Sequence, residues 1–364
     1  MRTLYVAAGG GGDAVGALLA RRALGDTDER PPLVTTCAWE RLRIDPVPGP
    51  RARADFTGLG LVDGEPCEVL PSSDTVPSGR SVLPRLAETS GARIFLHDFE
   101  QGAEGLTGQL KRLAASLEVD NLVVIDVGGD VLARGSEPEL RSPLADSLTL
   151  AAALKTNVPT ALVVLGPGAD AELPESAVTE LLEAVSGNRI RPVCATAVED
   201  LHAVLCWHPT EATALVAAAA TGARGSVAMR RGHTPVPLSD RTPEVWVVRG
   251  PYLDSFPIAG SLQGTQSLAE AERIIRRSAV NEIDFERAVA SKSDSRGRRK
   301  SLRSFMWEMD CVGAQYITGR RLADGLSSEE WAAIEYARSA RPHGLWSRSD
   351  LNSLEMQSNG RGGA

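Results

Sequence analysis

The sequence predicts an α/β fold in which a doubly wound, mostly parallel sheet of the Rossmann-like type carries a helical C-terminal extension. The first observation is a β-rich run at residues 3–8, closed by glycines before helical apolar spacing begins over 14–24. The second is that continuous apolar strands at 121–125 and 160–165 alternate with segments of helical periodicity. The third is composition, because aromatic residues make up only 4% of a chain that is rich in Ala, Leu and Val.

Further strands and helices alternate along the chain. Strands are predicted at residues 33–37 and 92–96, and helices at 106–117, 144–154, 175–185, 212–221 and 267–277. Such alternation indicates a parallel sheet that is covered by helices on both faces. Residues 39–84 are dense in Pro, Gly, Asp and Ser, and they predict loops and edge strands. The segments 226–229 and 245–248 predict either an extension of the sheet or a small antiparallel addition.

Composition divides the chain into three parts. Residues 1–260 are predicted to form the α/β small-molecule-binding domain, 261–340 the helical extension, and 341–364, rich in Ser, Gly, Arg and Asn, a flexible tail. The stretch 292–303 is rich in Lys, Arg and Ser. A solvated surface or hinge is the preferred interpretation of that stretch, and a phosphate-binding arm is the alternative.

Charge and cysteine content exclude several classes of protein. The chain of 364 residues has a formal net charge of −8, which argues against a nucleic-acid-binding face. Its 5 cysteines are scattered without CxxC spacing, as expected for reduced thiols in a cytoplasmic protein. The longest apolar stretch falls well short of the roughly 20 residues that span a bilayer. We therefore expect a cytoplasmic protein with a small-molecule partner and no nucleic-acid or membrane partner, and homo-oligomerisation stays open.

The glycine run after the first strand predicts the edge of a small-molecule site, because ligands of open parallel sheets bind outside the carboxyl ends of the strands. Side-chain-free backbone can bring N–H groups close to an anion at the start of the next helix. The residues predicted to bind substrate here are Gly10, Gly11, Gly12 and Asp13. The run also satisfies the relaxed dinucleotide pattern GxGxxA, although Glu40 is only a loose match to the acid expected after the second strand.

A second motif, Asp-Val-Gly-Gly-Asp at residues 126–130, follows an apolar strand. Two carboxylates that bracket glycines at a strand end can hold a divalent cation, or the amine or hydroxyls of a substrate. We therefore predict Asp126 and Asp130 as metal ligands, and Asp130 also as a catalytic residue. Gly128 and Gly129 are predicted to bind substrate. The alternative is an Asx-type turn in which Asp130 caps the next helix.

Three further positions complete the predicted site. Asp98 and Asp170 also end strands, and they are predicted to bind substrate on the same grounds. In the segment Trp-His-Pro-Thr-Glu at 207–211, His208 is predicted to act as a general acid or base, with Glu211 orienting it or carrying the proton. Thr210 is predicted to contact substrate. The alternatives are a plain helix cap for Thr210 and a packed loop residue for His208.

Together these motifs resemble the DUF1152 family, a domain of unknown function. The resemblance rests on the GGGGDA run, on residues 126–135 with the segment 142–146, and on 207–211, and it extends over about residues 4–248 and on towards 287. It implies a soluble prokaryotic protein with one coherent site across these motifs. It implies no reaction, because the activity of the family is not established. The DVGGD loop is also similar, over a short stretch, to glycine-acid loops of D-glutamate cyclase, an amino-acid lyase.

The predicted function is that of a cytoplasmic, non-redox enzyme acting on a small polar metabolite that is phosphorylated or amino-acid-like. Lyase, cyclase or hydrolase chemistry fits, because no redox or kinase motif is present. Crowded carboxylates raise one another's pKa unless a cation neutralises them, so either Mg²⁺ or the ammonium group of a substrate is expected. The alternatives are a nucleotide- or metabolite-binding protein without turnover and an NAD-dependent oxidoreductase.

Overall fold

A computed structural model describes residues 1–76, 79–229, 235–250, 255–291, 300–327, 334 and 343–361. Within them the strands are β1 (Thr3–Ala7), β2 (Leu33–Thr36), β3 (Phe56–Thr57), β4 (Gly60–Val62), β5 (Glu65–Val69), β6 (Asp74–Thr75), β7 (Arg93–Leu96), β8 (Asn121–Val127), β9 (Thr160–Leu165), β10 (Asn188–Arg189), β11 (Gly225–Ala228), β12 (Val236–Leu238), β13 (Val245–Arg249), β14 (Tyr316–Thr318) and β15 (Leu345–Ser347). The helices are α1 (Gly11–Leu24), α2 (Leu83–Ser90), α3 (Gly102–Ser116), α4 (Pro143–Leu154), α5 (Glu175–Ala184), α6 (Ala195–Asp200), α7 (His202–Leu205), α8 (Ala212–Ala220), α9 (Pro257–Leu262), α10 (Leu268–Ser278), α11 (Glu282–Ser291), α12 (Leu302–Val312), α13 (Gly319–Ala323) and α14 (Arg348–Arg361).

The largest sheet has nine strands in the order β10-β13-β9-β8-β1-β2-β7-β5-β4. Its five central strands, from β9 to β7, are parallel, and the strands at both edges are antiparallel. This arrangement confirms the predicted doubly wound, mostly parallel α/β fold. The chain builds outward from β1 through β2 to β7 and then returns to the other side of β1 as β8. The carboxyl ends of β1 and β8 therefore flank the point where the strand order reverses, which is where such sheets bind ligands.

Helices cover both faces of this sheet because its strands are apolar on both sides. Alternate residues of β1 point to opposite faces, so that Tyr5 joins one core while Leu4 and Val6 join the other. Helices α1, α2, α6, α7 and α8 contribute to the first core. Helices α3, α4, α5, α9, α10 and α11 contribute to the second. The described part of the predicted helical extension up to residue 291 therefore packs on the same face as α4.

A second sheet, in the order β12-β11-β14-β15, carries its own core with α12 and α14. Val227 of β11 pairs in parallel with Tyr316 of β14, so this sheet unites residues from both sides of the boundary predicted at 260/261. Residues 345–361, predicted as a flexible tail, form β15 and α14, and Leu351 is fully buried. Strands of three residues are too short to show the alternation that reveals a strand in a sequence.

Three other expectations can be compared with the structure. Of the two segments predicted to extend the sheet or form an addition, β11 belongs to the small sheet and β13 extends the large one. Residues 292–299 of the basic stretch lie outside the described residues, and Lys300, which follows them, forms an ion pair with Glu308 at 2.6 Å. Among the described residues, no helix combines the length and the apolar character needed to cross a bilayer.

Candidate functional site

Two groups of carboxylates, all buried except that of the partly buried Asp13, lie at the point where the strand order reverses. The Asp13 triad consists of Asp13, Asp126 and Asp146, and the Asp170 triad consists of Asp130, Asp170 and Glu172. Within each triad, one oxygen atom from every side chain lies within 4.8 Å of one from each other member. The residues come from the ends of β8 and β9 and from the first turns of α1 and α4. Each triad can therefore offer several oxygen ligands to one divalent cation.

The first glycine of the run makes room for acids. The N–H group of Gly9 donates to Oδ2 of Asp13 over 2.7 Å. A Cβ atom on Gly9 would lie 2.9 Å from that oxygen and 3.1 Å from Oδ1 of Asp146. Any side chain at this position would push two carboxylates apart. Gly9 is thus required by the Asp13 triad itself.

The next three glycines form the N-terminus of α1, beside the Asp13 triad. Gly10 is the N-cap residue, and the first N–H groups of a helix have no acceptor within it. Among the described residues, no acceptor binds the N–H groups of Gly10, Gly11 or Gly12. Free donors at the positive end of a helix are suited to an anion. The backbone here therefore has the geometry expected of the predicted anion-binding loop.

The glycines of the DVGGD loop allow Asp170 to approach. Gly128 and Gly129 have φ angles of 124° and 106°, which strongly favour glycine. A Cβ atom on Gly128 would lie 2.2 Å from Cγ of Asp170, and one on Gly129 would lie 2.5 Å from Cγ1 of Val178. The loops after β8 and β9 are joined by a hydrogen bond of 2.7 Å from Gly168 N–H to the Gly128 carbonyl. Gly128 hence allows the close contact between these two loops, and Gly129 allows the first of them to pack against α5.

Three carboxylates of the site, those of Asp13, Asp126 and Asp130, have raised pKa values. Asp130 is only 5% exposed, and within the described residues no group donates a hydrogen bond to its carboxylate. Burial, followed by the charges on Asp146 and Glu172, raises the pKa of Asp130 well above its usual value. Burial, followed by the charge on Asp13, does the same to the pKa of Asp126, and burial raises the pKa of Asp13 to about 7. These acids thus favour either a proton or a cation in their midst.

The N-terminus of α4 brings in further carboxylates. The N–H groups of Arg141 and Ser142 donate to Oε2 of Glu172 over 2.7 and 2.8 Å. The Ser142 hydroxyl also donates to Glu172. One turn later, the N–H of Ala145 donates over 3.3 Å to Oε1 of Glu282, which reaches in from α11. The positive end of α4 therefore holds acids from two other elements close to its own Asp146.

His208 and Thr210 lie against the glycine run. The Nε2 atom of His208 lies 3.4 Å from the position that a Gly11 Cβ would occupy, and Oγ1 of Thr210 lies 3.2 Å from that of Gly12. The backbone N–H of Thr210 donates to Nδ1 of His208 over 3.2 Å. Because Nδ1 accepts that hydrogen bond, the neutral ring carries its proton on Nε2, the nitrogen nearer to the glycines. The loop thus aims a ring N–H donor at the start of α1.

Two predicted site residues lie apart from this cluster. Asp98, after β7, accepts hydrogen bonds from the N–H groups of Arg53 and Glu100 and from the Gln109 amide. Glu211 accepts a hydrogen bond from the Thr318 hydroxyl in the C-terminal part of the chain. No described contact joins either carboxylate to the two triads. The structure therefore gives Asp98 and Glu211 structural partners.

Two other polar residues that follow strands are also engaged elsewhere. Glu40, after β2, accepts hydrogen bonds from the backbone of Val82 and the hydroxyl of Ser81 at the start of α2. Burial raises the pKa of Glu40 to about 7. His97 is buried with its Nδ1 near the Thr35 hydroxyl, and burial lowers the pKa of its ring to about 3. Both residues support the loops on the β2 and β7 side of the sheet.

Three acids of the cluster, Asp146, Glu172 and Glu282, are not among the site residues predicted from the sequence, although Glu172 follows the predicted Asp170 by two positions. Asp146 was detectable, because it is the sole charged residue in a helix, α4, that is otherwise made of Pro, Leu, Ala, Ser and Thr. Glu282 gave no signal, since acids are common in the first turn of a helix and nothing in its segment points to β8 or β9. Its place in the site depends on how α11 packs against α4.

Fold and site together define a doubly wound α/β protein with two groups of carboxylates at the reversal of strand order. The chain belongs to the family described as Protein of unknown function (DUF1152), whose model matches residues 4–290. The match confirms the resemblance seen in the motifs, and it includes every member of both triads and Glu282. No significant match was found among curated proteins or among solved structures.

Proposed function

We propose that this protein is an enzyme that uses a divalent cation, with Mg²⁺ as the favoured ion, to act on a small polar metabolite. Hydrolase or lyase/cyclase chemistry without redox change fits best. The observation that carries the proposal is the pair of carboxylate triads at the ligand-binding edge of the sheet. Hard oxygen ligands of this kind select Mg²⁺, Ca²⁺ or Mn²⁺ over softer metals.

The electrostatics give the reason for a cation. Asp126, Asp130 and Asp146 are all at most 5% exposed. Each has its pKa raised, first by burial and then by neighbouring carboxylates. A divalent cation would reverse both effects by supplying the opposite charge at short range. In such a setting it also lowers the pKa of bound water and polarises a carbonyl or phosphoryl oxygen, which is the chemistry of metal-dependent hydrolases and lyases.

The glycine run indicates what kind of metabolite suits the site. The N–H groups of Gly10, Gly11 and Gly12 are directed outward from the N-terminus of α1 and fit a phosphate or carboxylate group. The ring N–H of His208 and the hydroxyl of Thr210 lie against the same glycines. A substrate anchored there by its anionic group would have its remaining polar atoms near the Asp13 triad. His208 is then the group placed to donate a proton.

The NAD-dependent alternative has less support. The acid that binds the ribose hydroxyls in such proteins follows the second strand, and the nearest acid after β2 is Glu40. Glu40 is only 8% exposed, and its carboxylate already accepts a hydrogen bond from the Val82 N–H at the start of α2. The chain after β2 also passes close to the glycine run. The carbonyl oxygen of Trp39 lies 3.5 Å from the position that a Cβ atom on Gly10 would occupy.

The alternative of a binding protein without turnover is separated from an enzyme by one experiment. The purified full chain would be screened by thermal shift against sugar phosphates, nucleotides and amino acids, with and without Mg²⁺, and every stabilising compound would then be incubated with the protein and analysed by mass spectrometry. We expect Mg²⁺ alone to raise the melting temperature and at least one compound to be converted. Recovery of every stabilising compound unchanged would favour the binding protein. Absence of any effect of Mg²⁺ or Mn²⁺ would reject the proposal.

A further inference from the structure

A groove between α12 and α14 leaves large apolar side chains open to solvent. The groove has a volume of about 470 Å³, and Met306, Trp307 and Met356 line it together with charged residues. Trp307 is 70% exposed and Met356 is 75% exposed. Tryptophan is on average a buried residue, and exposed apolar surface that is rimmed by polar groups marks an interaction site. This surface, called the α12–α14 groove below, is therefore a candidate docking surface.

The packing of the small sheet does not account for the position of Trp307. The other side of α12 packs into the core of that sheet through Leu302, Phe305 and Met309, and Leu351 of α14 joins the same core. Because these inner faces already hold both helices on the sheet, an exposed tryptophan on the outer face adds little to the stability of the chain. Trp307 is therefore available to a partner.

The charged residues of the groove follow the same pattern on both helices. Asp310 follows Arg303 by seven positions on α12, and Glu355 follows Arg348 by seven positions on α14. Seven residues are about two helical turns, so each helix carries an arginine and an acid on one face. Nε of Arg303 lies 2.5 Å from Oε1 of Glu355, and Arg348 pairs with Asp310. The two helices are therefore antiparallel, because the early part of each lies beside the later part of the other.

This charge pattern is complementary to itself. A two-fold axis that lies in the plane of contact and crosses both helices places each helix antiparallel to its copy. Arg303 then lies opposite Asp310 of the partner subunit, and in the same way Arg348 lies opposite the partner's Glu355. Trp307, midway between Arg303 and Asp310, meets its own copy close to the axis. A surface with two arginines and two acids has no net charge, so it suits a second copy better than a nucleic acid, an anionic membrane or a strongly charged peptide.

We propose that two copies of the chain form a two-fold symmetric dimer through the α12–α14 groove, with Trp307 at the centre of the interface. Such an interface is isologous, because the same surface serves both copies. The tryptophan pair supplies most of the affinity, since tryptophans at the centre of an interface carry a large share of its binding energy. The ion pairs lie at the surface, and their main effect is to set the antiparallel orientation. The dimer goes beyond the proposed function and does not depend on a cation.

The mass of the full chain in solution tests the dimer. Sedimentation velocity over about 1 to 100 μM is expected to show the mass of two chains at the upper end, as for an interface of micromolar or tighter affinity. Trp307→Glu is expected to raise the dissociation constant by about 30-fold or more, because each interface loses two central aromatic side chains. Phe285→Glu is the matched control, since this aromatic residue is 62% exposed but lies on α11, outside the groove. That control is expected to dimerise like the wild type.

Exchange of charges tests the orientation. In a dimer of Arg303→Glu chains, and in one of Asp310→Arg chains, like charges face each other, so each variant alone is expected to dimerise more weakly than wild type. A mixture of the two variants is expected to favour the mixed dimer, because each introduced charge then faces an opposite one. Native mass spectrometry distinguishes the three dimers. The ion pair that each variant loses within its own groove is lost in all of them, so that loss cancels in the comparison.

Each result decides one part of the inference. A wild-type chain that stays monomeric at every concentration would overturn the dimer and leave the groove to another kind of partner. A dimer that Trp307→Glu does not weaken would place the interface elsewhere and overturn the role of the groove. Absence of any preference for the mixed dimer would overturn the antiparallel orientation. If Trp307→Glu melts below the Phe285→Glu control, Trp307→Ala replaces it, and an unweakened dimer in that variant would count against the groove in the same way.

Discussion

Asp130 and Asp98 have equivalent positions in the sequence, each shortly after a strand, but different surroundings in the folded protein. Both are buried acids in loops that follow parallel strands, and both were predicted to serve the site. Asp98 accepts hydrogen bonds from three donors on neighbouring segments. Asp130 accepts none among the described residues and is surrounded by other carboxylates. A strand-end acid with its own donors supports a loop, whereas one without donors is available to a ligand.

The largest expected effect comes from exchanging each of these acids for its amide. Asp130→Asn is expected to weaken Mg²⁺ or Mn²⁺ binding by about 10- to 100-fold or more, while the cation-free protein stays at least as stable as wild type. Asp98→Asn is expected to leave cation affinity unchanged and to lower the free energy of unfolding by about 1–3 kcal/mol, because one acceptor oxygen becomes an NH2 group that faces an N–H donor. Isothermal titration and urea unfolding measure the two quantities. Equal behaviour of the two variants would contradict the distinction between the residues.

The order of the strands in the sheet explains which residues of the site could be predicted from the sequence. Periodicity located the strand ends; Asp126 near the end of β8 does meet Asp13 of the glycine run, and Asp130 after β8 meets the acids after β9. In the sheet, however, β7 is separated from β1 by β2, so the end that carries Asp98 lies about 10 Å from that of β1. Strand order depends on how the connections pack, which a single sequence does not show. The same limit hid Glu282, whose helix reaches the site only through its packing on α4.

The second expected effect is a loss of stability with rising pH in the cation-free protein. Burial raises the pKa of Asp13 to about 7 and those of Asp126, Asp130 and Asp146 well above their usual values. In the unfolded chain these groups release their protons near pH 4. The folded state therefore holds more protons than the unfolded state, and the free energy of unfolding falls as pH rises, by about 1.4 kcal/mol per pH unit for each proton involved.

The measurement should span pH 6.5 to 8, with and without saturating Mg²⁺. Below that window His97 acts in the opposite direction, because burial lowers its pKa to about 3 and stability then rises with pH up to the value of a free histidine. Mg²⁺ is expected to abolish most of the fall. Outside the triads, burial raises the pKa of Glu40 to about 7 and that of Glu282 well above its usual value, so a residual fall should remain and should be smaller in Glu40→Gln. An unchanged slope with Mg²⁺ would show that the titrating acids are not cation ligands.

The smallest expected effect concerns Glu211, which was predicted to be catalytic. Like Asp98, it has structural partners of its own. Its carboxylate accepts the Thr318 hydroxyl and lies 3.5 Å from the guanidinium of Arg320, so it ties the start of α8 to the small sheet. Glu211→Gln is expected to cost about 1 kcal/mol of unfolding free energy and to leave cation affinity and turnover unchanged. Thr318→Val removes the hydrogen bond that Glu211→Gln weakens from a charged to a neutral acceptor, so the two changes should be non-additive in a double-mutant cycle. Loss of turnover in a Glu211→Gln protein of normal stability would instead restore Glu211 to the proton-transfer role and move the working site towards α8.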